Sequence, residues 1–300
     1  MTQRIEILDG GMGRELARIG APFRQPEWSA LALYEAPERV REVHDSFIAA
    51  GAGTVTTNSY AVVPFHIGEQ RFAADGERLA TLAGRLARDA ADAAAHSVRV
   101  AGSLPPALGS YRPDLFDAQQ AQAVHRVLIA AQAPYVDVWL GETISSVAEA
   151  NAIRDALAGQ PHPLWLSFSL NDEPECYEAV STLRSGESVA DAVSRAIELG
   201  AENVLFNCSH PEVMASAVQQ AVAVRDRLGA AVGIGVYANA FEHGSNSGEA
   251  NDGLSDMRKD THPEGYLAWA REWTMAGATL VGGCCGIGPE HIQRLAASLK

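Results

Sequence analysis

Short runs of apolar and β-branched residues recur along the chain. They fall at Ile5–Leu8, Thr54–Thr57, Val98–Ala101, Val136–Leu140, Leu164–Leu170, Asn203–Phe206, Val232–Val236 and Thr279–Val281. Such runs suit strands buried on both faces, as in a parallel sheet. Between them the period changes. In Pro37–Ala50 the positions Val40, Val43, Phe47 and Ile48 fall near the helical repeat, and Gly51 supplies a stop. Gly76–Ala95 carries Leu79, Leu82 and Leu86 on one face, and similar stretches cover 118–131, 147–158, 188–199, 211–228, 263–275 and 290–299. Strand then helix, eight times over, predicts an α/β fold: a (β/α)₈ TIM barrel forming a single domain over residues 1–300. The competing architecture is an open doubly wound sheet. It is disfavoured because no GxGxxG follows any predicted strand, and GGMGRE after the first lacks the spacing.

Composition narrows the function. With 47% hydrophobic and 20% charged residues the chain can bury a large core. No window approaches the ~20 apolar residues of a spanning helix, so no membrane partner is expected. The formal charge of −14 and the lack of a basic block argue against nucleic acid. The start, MTQRIEILDGG, lacks the basic and apolar segments of a signal peptide, so a cytoplasmic location is expected. The polar stretch from His243 to Asp260 reads as a long surface loop. Oligomeric state is not legible.

In a barrel of this kind chemistry sits at the carboxyl ends of the strands. The first run ends in Asp9-Gly10-Gly11, the second in Thr57-Asn58-Ser59-Tyr60, the fourth in Gly141-Glu142-Thr143, the sixth in Asn207-Cys208-Ser209 and the eighth in Gly282-Gly283-Cys284-Cys285-Gly286. Three of the four cysteines therefore stand at one rim. A single strand separates the two cysteine-bearing ends, roughly 10 Å of rim. Three thiolates make three zinc ligands and leave an open place, the arrangement of a reactive rather than a structural site. The glycines beside Cys284 allow the sharp turn that lets adjacent cysteines face one ion. Cys176 reads as an isolated small residue in a loop. The competing reading of GGCCG is a phosphate loop, which needs neither cysteine. A trithiolate site is a poor activator of water but can bind a substrate thiol and deprotonate it, which points to alkylation of a thiol.

These residues resemble the zinc-dependent homocysteine S-methyltransferases. The resemblance runs from about Ile5 to His291 and includes ILDGGMGREL, EWSALALYEAPERVREVHDSFIAAGAGTVTTNSY, GETISS, FNCS and GGCCGIGPEHI. It implies a (β/α)₈ barrel with zinc held by Cys208, Cys284 and Cys285. It implies further that Asp9 and Glu142 hold the substrate ammonium, that the backbone N–H groups of Gly10, Gly11 and Met12 receive its carboxylate, and that Asn207 positions the ligand beside it or the donor. The partners implied are homocysteine and a small methyl donor. Length and the WSA-x(6)-PE stretch look most like the S-methylmethionine branch; S-adenosylmethionine and betaine-type donors stay open. The segments SLPPALGSYRPDLFD and TNSYAVVP depart from that branch.

Other readings compete at individual positions. Asp9 can instead cap the following helix, Glu142 can pair with a rim arginine, and Thr57 and Asn58 can satisfy backbone rather than line the pocket. Trp28 and Tyr60 are candidates for the donor pocket, since a sulfonium is attracted to an aromatic face; ordinary packing is the alternative for Trp28. His44 reads as surface or packing, His210 as a partner behind Cys208 or a helix-start residue, and His243 and His262 as parts of the polar loop. Rival functions are methylation of another thiol or selenol, and a non-catalytic barrel that binds zinc or senses oxidation through the adjacent cysteines.

Overall fold

The computed structural model describes residues 4–242 and 256–300. Most of the predicted polar loop, including His243, lies outside the described residues. Every predicted strand is present: β1 (Glu6–Ile7), β2 (Thr54–Thr56), β3 (Arg99–Leu104), β4 (Val138–Ile144), β5 (Leu164–Phe168), β6 (Ala201–Asn207), β7 (Gly233–Tyr237) and β8 (Leu280–Val281). They form one parallel sheet in the order β1-β8-β7-β6-β5-β4-β3-β2. The two ends meet where Leu8 bridges Thr54 and the Gly53 N–H donates to the Ile7 carbonyl at 2.7 Å. The sheet is thereby closed as a barrel, which removes its edges.

The helices are α1 (Met12–Arg18), α2 (Ala30–Glu35), α3 (Pro37–Ala49), α4 (Pro64–Ile67), α5 (Glu69–Asp92), α6 (Ala118–Gln132), α7 (Val147–Ala156), α8 (Val189–Glu198), α9 (Pro211–Leu228), α10 (Pro263–Ala276) and α11 (Pro289–Leu299). Their starts follow local chemistry. Proline opens α3, α9, α10 and α11, where a missing N–H costs nothing. Asp117 caps α6, and Ser146 with Glu149 forms a capping box on α7. Among the described residues no helix is long and apolar enough to cross a membrane.

Two apolar layers result. The outer one lies between sheet and helices and includes Val55, Val100, Trp139, Leu166, Val204 and Val236. The inner one fills the barrel with Leu8, Ala101, Val138, Leu140, Trp165, Leu205, Tyr237 and Leu280. At the amino-terminal end Arg99 pairs with Glu6 and stacks 4.8 Å from the Trp165 ring, whose Nε1 donates to Glu202 at 2.8 Å. The interior is thus packed solid below, and open chemistry is confined to the other end.

The structure departs from the sequence expectation at β3 and β4. Both run on through polar and small residues, to Leu104 and Ile144. Gly102 pairs with Trp139, and a Cβ there would lie 2.7 Å from the Trp139 ring. The glycine makes room for the tryptophan while breaking the apolar pattern that marks a strand. The extension carries Ser103 and Glu142 into the barrel mouth. Helices α1, α2 and α4 were not predicted; they have seven, six and four residues, too few for periodicity to register.

Candidate functional site

Cys208 follows β6, and Cys284 and Cys285 follow β8, with β7 between them. The end of β7 supports both turns. The Cys208 N–H donates to the Tyr237 carbonyl at 3.2 Å, the Cys284 N–H to Ala238 at 2.9 Å, and Cys285 receives the Ala240 N–H at 2.9 Å. Cys208 holds a left-handed backbone conformation, φ 49°, which is unusual for a residue with a side chain. The α1 turn closes the other side. A Cβ on Gly11 would lie 2.5 Å from the Cys284 carbonyl oxygen, so only glycine allows this approach.

The three Sγ atoms lie within 4.8 Å of one another. The sequence predicts three thiolates that ligate one ion; the structure instead joins Cys208 and Cys284 as a disulfide, with Cα atoms 5.6 Å apart, and leaves Cys285 free. Sulfurs gathered this closely pair when two electrons are removed. In the reduced state the same three suit a tetrahedral ion, whose ligand sulfurs sit about 3.8 Å apart for metal–sulfur bonds of about 2.3 Å. Burial pushes the Cys285 thiol up to about 11, with the Arg14 cation pulling in the opposite direction. A thiol held so high needs a cation beside it to act as thiolate at neutral pH. The donor set therefore fits a soft divalent metal.

Two buried carboxylates share the mouth. Asp9 accepts from the Thr56 N–H at 2.7 Å and the Thr56 hydroxyl at 3.3 Å. It does not cap α1, whose cap is Gly11 with no side-chain hydrogen bond. Glu142 accepts a short hydrogen bond from the Ser103 hydroxyl. Among the described residues no ion pair between Glu142 and an arginine is present. Burial raises both carboxyls to about 7; Glu142 pushes Asp9 further up, while Thr56 and Ser103 oppose the rise. The buried Tyr237 hydroxyl lies outside hydrogen-bond geometry yet close enough to favour the ionised form of Glu142. A cation placed between the carboxylates would relieve both penalties.

The other predicted residues fall around this centre. Asn207 is fully buried: its Oδ1 receives the Thr143 N–H at 3.0 Å and the Ser167 hydroxyl at 2.7 Å, and its Nδ2 donates to the Thr143 hydroxyl at 2.8 Å. Its amide thus holds Thr143, left-handed at φ 58°, directly after Glu142. Thr57 donates to Gln132 Oε1 at 2.6 Å and accepts the Ser103 N–H, and Asn58 Nδ2 donates to the Ser29 carbonyl at 3.1 Å. Tyr60 shares a 2.6 Å hydrogen bond with Ser110. Trp28 packs edge-on against Phe23, with His66 between it and Tyr60. His210 bonds the Tyr177 hydroxyl through Nδ1 at 2.7 Å, His44 is buried, and His262 caps α10. Cys176 is free and lies in a short 3₁₀ turn. Sequence reasoning missed Ser103, Tyr111, Asp172 and Arg184. The only signal was the unusual segment containing Ser103 and Tyr111.

The family model for homocysteine S-methyltransferase matches residues 6–299. This chain belongs to the homocysteine S-methyltransferase family. The resemblance drawn from the motifs is borne out, and the matched span contains both the Asp9 turn and the cysteine tandem. The chain is 31% identical to the homocysteine S-methyltransferase of Escherichia coli (strain K12), covering 98% of this chain and 95% of that one. A homocysteine S-methyltransferase of Zea mays is 28% identical, over 98% and 94%. The homocysteine methyltransferase MmuM from Escherichia coli superposes in its metallated form with a TM-score of 0.77, at 30% identity over 98% and 96% of the chains. Its oxidised form gives 0.79, at 28% identity over 98% and 95%. Like these relatives, this homocysteine S-methyltransferase family member is a TIM barrel.

Proposed function

We propose that this protein transfers a methyl group from a small cationic donor to homocysteine, giving methionine, with zinc held by Cys208, Cys284 and Cys285. The observation that carries the reading is the convergence of three sulfurs from the ends of β6 and β8 beside two buried carboxylates. The metallated form of the relative supports a metal here, and an all-thiolate set favours zinc. Zinc, when bound, lowers the pKa of the homocysteine thiol so that its sulfur is a thiolate at neutral pH.

Asp9 and Glu142 hold the homocysteine ammonium by charge-assisted hydrogen bonds, while the N–H groups of Gly10 and Met12 at the start of α1 receive its carboxylate; the Gly11 N–H expected beside them is instead taken by the Ile287 carbonyl at 2.9 Å. That pairing orients the sulfur toward the donor methyl and selects an amino-acid thiol over a simple one. Asn207 keeps Thr143, and with it Glu142, in place. Thr57 and Asn58 shape the acceptor side through the contacts described above, and Tyr60 and Trp28 the donor side. In the reaction the sulfur lone pair forms the new S–CH₃ bond. The bond from methyl to the donor heteroatom breaks, and its electron pair stays on that atom. Opposite charges cancel as this happens, so a mouth of low polarity favours the step. S-Methylmethionine and S-adenosylmethionine are the donors proposed; a betaine is the alternative.

The test is a panel of donors with homocysteine, scored for methionine, with and without a chelator, on protein kept reduced. Cys208→Ala, Cys284→Ala and Cys285→Ala are each expected to lose zinc and activity together. Full zinc content in all three variants would overturn the proposal. Zinc binding without turnover of any donor would favour a non-catalytic metal barrel.

A further inference from the structure

Asp9 and Glu142 account for the amino-acid end of homocysteine but leave a second charged cluster at the same mouth unused. Asp172, buried in the loop after β5, accepts the His210 N–H on Oδ2 at 3.0 Å, and its Oδ1 forms an ion pair with the Arg184 guanidinium at 2.6 Å. The Arg184 side chain is 19% exposed. Its Cζ stands 4.6 Å from the Tyr111 ring centroid. Tyr111 lies in the loop after β3, left-handed at φ 65°, and donates its hydroxyl to the Cys208 carbonyl at 3.4 Å. Burial drives its phenol far above the ordinary range, with Tyr60, Cys285 and Asp172 adding to the rise and Arg184 opposing it. A cation is therefore fixed one aromatic ring away from the cysteine turn.

Arg184 is not fully spent. Asp172 takes one of its terminal nitrogens, and among the described residues its buried Nε has no hydrogen-bond partner. A guanidinium carries five N–H groups in a planar fork that matches a carboxylate two bonds at a time. Homocysteine has one carboxylate, already met at the start of α1. A second carboxylate at this mouth would belong to the other substrate. It would be repelled by Asp9 and Glu142 and attracted to Arg184. We propose that Arg184, braced by Asp172 and packed on Tyr111, binds the carboxylate of the methyl donor, and so selects an amino-acid sulfonium over a simple one. This rests on the methyl transfer proposed above.

The experiment compares wild type, Arg184→Lys and Arg184→Met with two donors at saturating homocysteine. One donor is S-methylmethionine. The other is trimethylsulfonium, which has the reacting centre and no carboxylate. The KM for S-methylmethionine is expected to rise about 10–100-fold in both variants, the loss of a charge-assisted pair. Turnover of trimethylsulfonium, the KM for homocysteine and zinc per chain are expected to stay unchanged. Arg184→Lys leaves Asp172 a cationic partner and so guards the fold, yet lacks the fork. Equal losses with both donors, a raised homocysteine KM or lost zinc would show that Arg184 only braces the Cys208 turn, and would overturn the inference. If wild type uses trimethylsulfonium as well as S-methylmethionine, this inference falls and the proposed reaction stands. If wild type forms methionine from no donor, the proposed reaction fails and this inference with it.

Discussion

At the scale of single residues, the free site carries an energetic cost at Glu142. Its folded pKa, about 7, is above the ordinary value of 4.5 because burial disfavours the charge. The native state then binds more protons at this group than the unfolded chain between those values, so its contribution to stability is most favourable below about 4.5 and is lost as pH rises through 7. The penalty above pH 7 is about 3 kcal/mol. Glu142→Gln is therefore expected to melt higher than wild type at pH 8, with the advantage fading toward pH 5, in thermal unfolding of metal-free protein. On the proposed reaction the same variant is expected to raise the homocysteine KM about 10–100-fold, because the proposed charged partner of the ammonium is gone. No gain in melting temperature at pH 8 would mean that the Glu142 carboxyl titrates near its ordinary value in the folded protein. Asp9, Glu142 and the three cysteines were legible in the sequence because each stands where a strand run stops. Ser103 was hidden by Gly102, and Arg184 by a loop with no pattern; both matter through neighbours that only folding supplies.

At the scale of elements, the α1 turn and the loop after β8 act as one unit. Gly11 lets them touch, and a Cβ there meets the Cys284 carbonyl at 2.5 Å. Gly11→Ala is expected to push α1 off the tandem and weaken zinc binding about tenfold or more, a fold-change corresponding to about 1.4 kcal/mol. Far-ultraviolet circular dichroism is expected to stay as in wild type, since the barrel core lies elsewhere. Competition with a chromophoric chelator measures the affinity; an unchanged constant would separate the two elements. The long helices are readable from their apolar period, and the sequence predicts α9 with its observed bounds, Pro211–Leu228. The short α1, α2 and α4 were not, because a turn or two of helix is fixed by what it packs on rather than by its own sequence.

At the scale of the molecule, the alternation of strand and helix was enough to predict the closed barrel, since parallel strands need crossovers and eight of them close the sheet. It did not reveal the oxidation state of the site. The chain has four cysteines, and the structure leaves two of them free, Cys176 and Cys285. Protein prepared without reductant is expected to show two thiols per chain on denaturation and to take up no zinc. After reduction the count is expected to be four and uptake one ion per chain. A thiol-reactive dye and metal analysis measure both; a count of four before reduction would exclude the disulfide in that preparation.

Cys208 precedes Cys284 by 76 residues, and β7 must be laid between them before their sulfurs can meet. A nascent chain emerging from the ribosome thus offers an isolated thiol long before its companions exist. The proposed ion can be captured only after the last staves of the barrel are seated. On the proposed reading, metal loading then reports completed assembly, and an interrupted translation product that lacks the final strand is expected to bind no zinc however well its earlier segments fold.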